Sequence, residues 1–188
     1  LLASARVGQL MYASVLTFWF EELKPAMWWK KDPPLDRLIA QRFEPLHAQA
    51  TRGELFRWRA SHAGRLAEII VLDQFSRNIY RDRPQAFAWD GMALVLAQEA
   101  IAAKADRDLS LDERSFMYMP FMHSESLLIH EQAMRLFSAK GLEYSFRFER
   151  RHKDILERFG RYPHRNAALG RVSTEAEIAF LKEPGSSF

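Results

Sequence analysis

Leu66-Ala67-Glu68-Ile69-Ile70-Val71-Leu72-Asp73-Gln74-Phe75-Ser76-Arg77-Asn78-Ile79-Tyr80-Arg81 is the stretch whose reading decides the fold. Its first seven positions are apolar almost all round, the signature of a helix buried on every side. The run starts near Ser61 or Ala63 and continues to about Tyr80, where Asp82-Arg83-Pro84 stops it; strands seldom reach that length. Ile69 to Leu72 alone could form a short buried strand, but no second segment shows the alternation that a partner strand would carry.

Helical signals continue on both sides. Asp32 before Pro33-Pro34 marks a helix start, and Leu35, Leu38, Ile39, Phe43 and Leu46 form one stripe down to Thr51-Arg52-Gly53. Pro45 interrupts that stripe and is expected to kink or divide the helix. Pro84 is expected to open a helix through Phe87, Leu94, Ala97 and Ile101. Ser110-Leu111-Asp112-Glu113 is a capping box, and its helix should break near Pro120. Ser124 can cap a successor running to about Lys140, with Gly141 as its stop. A further helix spans about Leu142 to Phe159 and ends at Gly160, and Thr174-Glu175-Ala176-Glu177 is a second capping box before Ile178, Phe180 and Leu181.

The pattern predicts an all-α fold of seven to nine helices joined by short loops. Antiparallel helix pairs would form either a tetratricopeptide-like α-α superhelix or a compact bundle. No clean internal repeat supports the first form: a 34-residue period predicts similar small and aromatic positions at fixed intervals, and only Ala86 to Ile101 shows them. At 188 residues the chain suits a single domain, 1–188, with a core of about 14–182 and terminal segments 1–13 and 183–188. The start, Leu1-Leu2-Ala3-Ser4-Ala5-Arg6, reads as an incomplete or processed terminus without the order of a signal peptide.

Composition narrows function mainly by exclusion. The chain has no cysteine, so disulfides, thiolate nucleophiles, Cys-based zinc sites and iron–sulfur clusters are ruled out, and a reducing cytoplasm is the expected location. Its longest aromatic-rich run, Val15 to Phe20, is much shorter than a membrane span, so no membrane partner is expected. The 27 Lys+Arg against 24 Asp+Glu fall short of the excess that marks a polyanion binder, and no continuous basic face for nucleic acid can be traced. No Gly-x-Ser-x-Gly elbow, Walker loop or dinucleotide fingerprint is present, and no cofactor is implied.

Polar residues on apolar helices are the candidate functional groups. Asp73, Arg77 and Arg81 recur at helical spacing, with Gln74 and Asn78 beside them. On a buried helix they need partners or a ligand, whereas at an emerging helix end Asp73 and Arg77 would form an ordinary surface pair. His123, Ser124 and Glu125 sit at a helix junction, where a His beside a Glu can move protons; capping by Ser124 and a helix-dipole role for Glu125 account for the same residues. His152 shares a stripe with Phe148, Ile155 and Phe159 and should face the interior. In the loop after Gly160, Arg161, His164, Arg165, Asn166 and Arg171 could hold a carboxylate or phosphate, or clamp helix C-termini. The segment 142–171 carries eight Lys+Arg against four Asp+Glu, while the remainder carries 19 against 20, so the small positive excess is local. His123, His130 and Glu131 could share a face, but no His-Glu-x-x-His motif supports a metal.

In four stretches the sequence resembles the mainly bacterial family catalogued as domain of unknown function 924. These are Val15-Leu16-Thr17-Phe18-Trp19-Phe20, Leu72-Asp73-Gln74-Phe75-Ser76-Arg77-Asn78, Tyr118-Met119-Pro120-Phe121-Met122-His123-Ser124-Glu125, and Phe159-Gly160-Arg161-Tyr162-Pro163-His164-Arg165-Asn166. Leu169-Gly170-Arg171 and Ser173-Thr174 follow the last of them. The resemblance spans about Ser14 to Leu181. It departs at Ser76, where the family pattern commonly has Pro, and at Tyr162, where it commonly has Phe. Ser76 removes the helix break that Pro would supply. The resemblance implies a fold similar to tetratricopeptide repeat proteins and no particular activity. Asp73, Arg77, Asn78, His123, Ser124, Glu125, Arg161, His164, Arg165 and Asn166 match polar positions of its motifs.

Two functions follow as expectations. In the first, the protein binds a small anionic metabolite. Arg77, Arg81, Arg161, Arg165 and Arg171 would anchor charge, Asp73 and Asn78 would orient them, and His123, Glu125 and His164 would transfer protons. In the second, it is a scaffold for a peptide or protein partner, and the same residues tie helices together.

Overall fold

Nearly every residue from Leu66 to Ser76 is fully buried, as the apolar run predicts, and the rest of the molecule is arranged around that segment. The computed structural model describes residues 11–187; the expectation drawn from Leu1 to Arg6, and most of the terminal segment 1–13, lie outside the described residues. Helix α1 occupies residues 11–17 and runs into a π-helical turn at Phe18–Glu22. Helix α2 is Pro33–Thr51. Helix α3 runs as His62–Ile70, a π-helical turn at Val71–Phe75, and Ser76–Ile79. Then come α4 (Asp90–Ala102), α5 (Leu111–Met122), α6 (Leu127–Phe137) and α7 (Glu143–Phe159), with short α8 (Asn166–Leu169) and α9 (Glu175–Phe180) at the end. Among the described residues there is no strand, so Ile69 to Leu72 is helical.

The local signals act as their chemistry requires. Asp32 accepts from the Leu35 N–H with Pro33 and Pro34 in the first turn, and Ser61 accepts from Gly64. Both capping boxes, Ser110 with Glu113 and Thr174 with Glu177, form in both directions. Gly160 ends α7 with φ 70°, a conformation costly for any residue with a Cβ.

Other expectations need correction. Pro45 does not divide α2, because Phe43 and Leu46 are buried on either side of it and the Phe43 ring lies 4.8 Å from Phe75. Packing there outweighs one lost backbone bond. Leu38 is exposed and lies off the stripe. Helix α5 passes Pro120 and stops only at Met122. Pro84 opens no more than a single 3-10 turn, Pro84–Ala86, and α4 starts at Asp90. Ser126, not Ser124, precedes α6, which ends at Phe137. Ser76 continues α3, its hydroxyl donating to the Leu72 carbonyl and accepting from His47 Nε2.

Each helix from α2 to α7 packs on its chain neighbour, and α3 also meets α5, as α5 meets α7. Ala93, Ala97 and Ala100 give α4 a small, fully buried face that lets it approach α3 closely. Rings of Phe18, Trp19 and Phe43 surround Phe75 on the other side. Glu68 is buried in this core and is held by two bonds of 2.7 Å from Arg59, as a charge removed from water requires. This packing brings the π-turn of α3, the first turn of α4, the end of α5 and the loop before α8 together.

Candidate functional site

Asp73 lies in the π-turn of α3, where the widened backbone turns its carboxylate toward the end of α5. Oδ1 accepts from His123 Nδ1 at 2.7 Å and lies 3.1 Å from Arg77 Nη1; Oδ2 accepts from Gln74 at 2.6 Å. Burial alone would raise the Asp73 pKa. The Arg77 charge and the hydrogen bonds from His123 and Gln74 overcome that effect and hold the carboxyl well below its usual range.

An ionised carboxylate only accepts hydrogen bonds, so His123 carries its proton on Nδ1. Burial, then the nearby Arg77 charge, lowers the His123 pKa despite Asp73. The ring is therefore neutral at neutral pH, with a lone pair on Nε2. Among the described residues that nitrogen has no hydrogen-bond partner, and the side chain is 13% exposed.

Asp90, in the first turn of α4, supplies a second carboxylate. Its two oxygens accept from Arg77 at 2.9 and 3.0 Å, and Oδ2 also accepts from Arg165 Nη1 at 3.1 Å. Arg165 donates through Nη2 to the His123 carbonyl at 3.0 Å, with its guanidinium 4.6 Å from the Phe87 ring and 4.8 Å from Tyr162. Its Nε is buried and has no hydrogen-bond partner among the described residues. His164 lies 5.7 Å from Tyr162, ring to ring, and burial followed by the Arg165 and Arg77 charges lowers its pKa to about 3. Asp73, Arg77, His123, His164 and Arg165 thus gather around Asp90, which the sequence did not single out. An acid in the first turn of a helix is its only sequence signal, and that is common to many helices.

The remaining candidates are held elsewhere. Helix α3 stops at Ile79, so Arg81 leaves the expected stripe and makes bonds of 2.5 and 2.6 Å to Asp36 of α2, which also accepts from Asn78 at 2.8 Å. Arg161 binds Glu177 at 2.6 and 2.8 Å and the Val172 carbonyl at 2.8 Å. Arg171 binds Glu125 at 2.7 and 2.9 Å, and its Nε reaches Asn166. Glu125 also accepts from the Tyr162 N–H, and Asn166 donates to Ser173. Arg171 and the Tyr162 N–H hold the Glu125 pKa down against burial, so this carboxylate is fixed on the loop rather than paired with His123. Ser124 contributes its carbonyl to His130 Nε2. His152 faces the interior, as its stripe predicts, with Nδ1 on the Phe148 carbonyl.

His130 is bonded to Glu149 and Ser124 while Glu131 is exposed, so these two and His123 do not converge. Among the described residues no three His, Asp or Glu side chains are placed to share a metal ion. No helix among them is long and apolar enough to cross a membrane. Two surface depressions, of about 480 and 340 Å³, lie away from Asp73: one is bordered by Arg158, Arg161 and Glu177, the other by Trp28, Trp29 and Phe116.

Comparison with known proteins agrees with the fold and adds no activity. The family described as bacterial protein of unknown function (DUF924) matches residues 15–185. A solved structure, that of the protein of unknown function ATU0120 from Agrobacterium tumefaciens, is similar at 36% identity and a TM-score of 0.87. The match covers 93% of this chain and 98% of that one. Among curated proteins no sequence matches.

Proposed function

The chain belongs to the DUF924 family of bacterial proteins of unknown function, and from that starting point we propose that the cluster around Asp73 binds a small anionic metabolite and that His123 exchanges a proton with it. The observation that carries the reading is His123 itself, whose proton is fixed on Nδ1 by Asp73 while Nε2 keeps a lone pair; Arg77 shares the same Asp73 oxygen, and Arg165 holds the His123 carbonyl. Such an imidazole is a base at neutral pH, and the Asp73 carboxylate would stabilise the imidazolium formed when Nε2 takes a proton. Arg77 and Arg165 would attract the anion. The buried Arg165 Nε is a donor still to be satisfied, and a bound oxygen would satisfy it. His164 is a second neutral imidazole within reach of the same charges. Glu125, Asn166 and Arg171 would hold the loop that carries Arg165. The cysteine-free composition suits a cytoplasmic location, and the proposal places the protein there.

A scaffold for a peptide or protein is the second reading, favoured by the ion pairs of Arg81 with Asp36, Arg161 with Glu177 and Arg171 with Glu125, which tie one part of the chain to another. Two of these pairs, Arg161 with Glu177 and Arg171 with Glu125, offset part of the positive excess in 142–171, which argues against a nucleic-acid surface. The two readings separate in a thermal-shift and calorimetric screen of small carboxylates, phosphate and sulfate against wild type and Arg165→Ala. Saturable binding that weakens at least tenfold in the variant supports the anion site. Binding that survives the substitution removes Arg165 from it, and no binding by any anion leaves the scaffold.

A further inference from the structure

We infer that the Asp90 carboxylate occupies the place of the ligand's own carboxylate, so that the site takes a small organic carboxylate in exchange for Asp90. The inference rests on the reading of Arg77 and Arg165 as the anion anchors. Asp90 makes the contacts that a bound carboxylate would make: both oxygens on the two terminal nitrogens of Arg77, and one of them shared with Arg165. This is the forked, planar geometry in which guanidinium recognises carboxylate.

Charge parity favours a monoanion. Arg77 and Arg165 balance Asp73 and Asp90, and His123 and His164 are both neutral at neutral pH. A carboxylate replacing Asp90 keeps the buried charges balanced, whereas a phosphate dianion leaves one negative charge in excess in a place where such an excess is costly.

The position of Asp90 also permits release. It is the first residue of α4, its side chain is 17% exposed, and Gly91 after it has open space where a side chain would lie. By contrast Asp73, 1% exposed in mid-helix, cannot leave. Asp90 then acts as a competitor within the molecule: it keeps the partly buried Arg77 and the buried Arg165 paired while the site is empty and weakens every ligand by the free energy of its own displacement.

The test is calorimetric titration of acetate, lactate and pyruvate, with phosphate and sulfate as tetrahedral controls, into wild type, Asp90→Asn and Asp90→Ser. Circular dichroism and melting would confirm that the variants fold. The expected result is carboxylate binding at least tenfold tighter in Asp90→Asn than in wild type, with the tetrahedral anions weaker in both. In labelled wild type, the Asp90 carboxyl carbon resonance should move toward its solvent-exposed value as carboxylate saturates the protein, a readout that does not need a folded variant. Equal or weaker carboxylate binding in folded variants overturns the displacement while leaving the anion site standing, as does an Asp90 resonance that stays fixed at saturation. Preference for phosphate or sulfate overturns the carboxylate class. If no anion binds any of the three proteins, the anion site itself fails and this inference fails with it.

Discussion

His130 Nδ1 lies 2.6 Å from Glu149 Oε1, and neither side chain has any exposure to solvent. The other ring nitrogen faces the Ser124 carbonyl at 2.9 Å, which can only accept, so Nε2 carries a hydrogen. One further proton is left for the Nδ1–Oε1 contact. Burial pushes the Glu149 pKa up, so the pair stays neutral as a whole wherever that proton sits. Glu149→Ala strands His130 and should cost about 3–5 kcal/mol in urea denaturation. Glu149→Gln can still donate an amide hydrogen to Nδ1 and should cost less than half as much. Equal losses would mean that volume, not the shared proton, sets the stability of this contact.

Stability should fall on mild acidification. Burial lowers His47 to about 4 and His164 to about 3, and it lowers His123 and His152 in the same direction. Below about pH 6.5 the unfolded chain therefore binds protons that the folded chain refuses, and stability drops with pH until the folded values are reached. At pH 5.5, His47 and His164 should each remove roughly 1.4 kcal/mol relative to pH 8. Below about pH 4.5 the carboxylates held low in the fold, Asp73 well below its usual range and Glu177 at about 2, add to the loss. Denaturant titrations at pH 8, 6.5, 5.5 and 4.5 measure the curve, and a flat profile between pH 8 and 5.5 would contradict the buried neutral state of these rings.

Asp73→Asn separates the charge of the dyad from its geometry. The asparagine oxygen can remain toward His123 and Arg77 while Gln74 turns its amide to accept, so the His123 tautomer is retained. Without the negative charge, His123 loses the group that stabilises its imidazolium. Ring nitrogen resonances should show it resisting protonation to a lower pH than in wild type. Arg77 keeps Asp90, so the stability cost should lie near the lower end of that for a broken buried pair, about 3 kcal/mol. An unchanged His123 titration would separate Asp73 from any role in tuning it.

Two glycines should respond in opposite senses. A Cβ at Gly64 would sit 2.1 Å from the Trp58 carbonyl oxygen, a backbone atom that cannot step aside, whereas at Gly91 it would meet nothing. Gly64→Ala should lower stability by about 1–3 kcal/mol or more. Gly91→Ala, within α4, should raise it by up to about 1 kcal/mol. Melting temperatures of the two variants, moving in opposite directions, check both expectations.

The central helix was legible because every position from Leu66 to Leu72 but Glu68 is apolar, and the capping boxes at Ser110 and Thr174 because their bonds close within four residues. The site was legible in its members and not in its pairings. Asp36 is 45 positions from Arg81, Glu125 is 46 from Arg171, and Asp90 is 75 from Arg165. Which acid meets which arginine depends on how α2, α4 and the loop before α8 pack, and spacing along the chain holds no record of that. The departures from the family pattern show the same limit. The Tyr162 hydroxyl, where phenylalanine is common, reaches the Met122 carbonyl at 2.6 Å and His130 at 3.0 Å, two contacts that no local pattern announces.

The π-turn at Val71–Phe75 makes α3 sensitive to length as well as to composition. A π-turn holds one residue more than the α-helical path it replaces, so deleting any single residue between Ile70 and Ser76 would let the backbone close as ordinary α-helix. The core upstream could survive such a deletion. Because the extra residue is what the π-turn absorbs, the residues downstream would keep their faces. Ser76 would still meet His47, Arg77 Asp90, and Asn78 Asp36, while Asp73, inside the turn, would lose its aim at His123. A one-residue deletion in this segment therefore tests the turn and its carboxylate apart from the contacts that follow it.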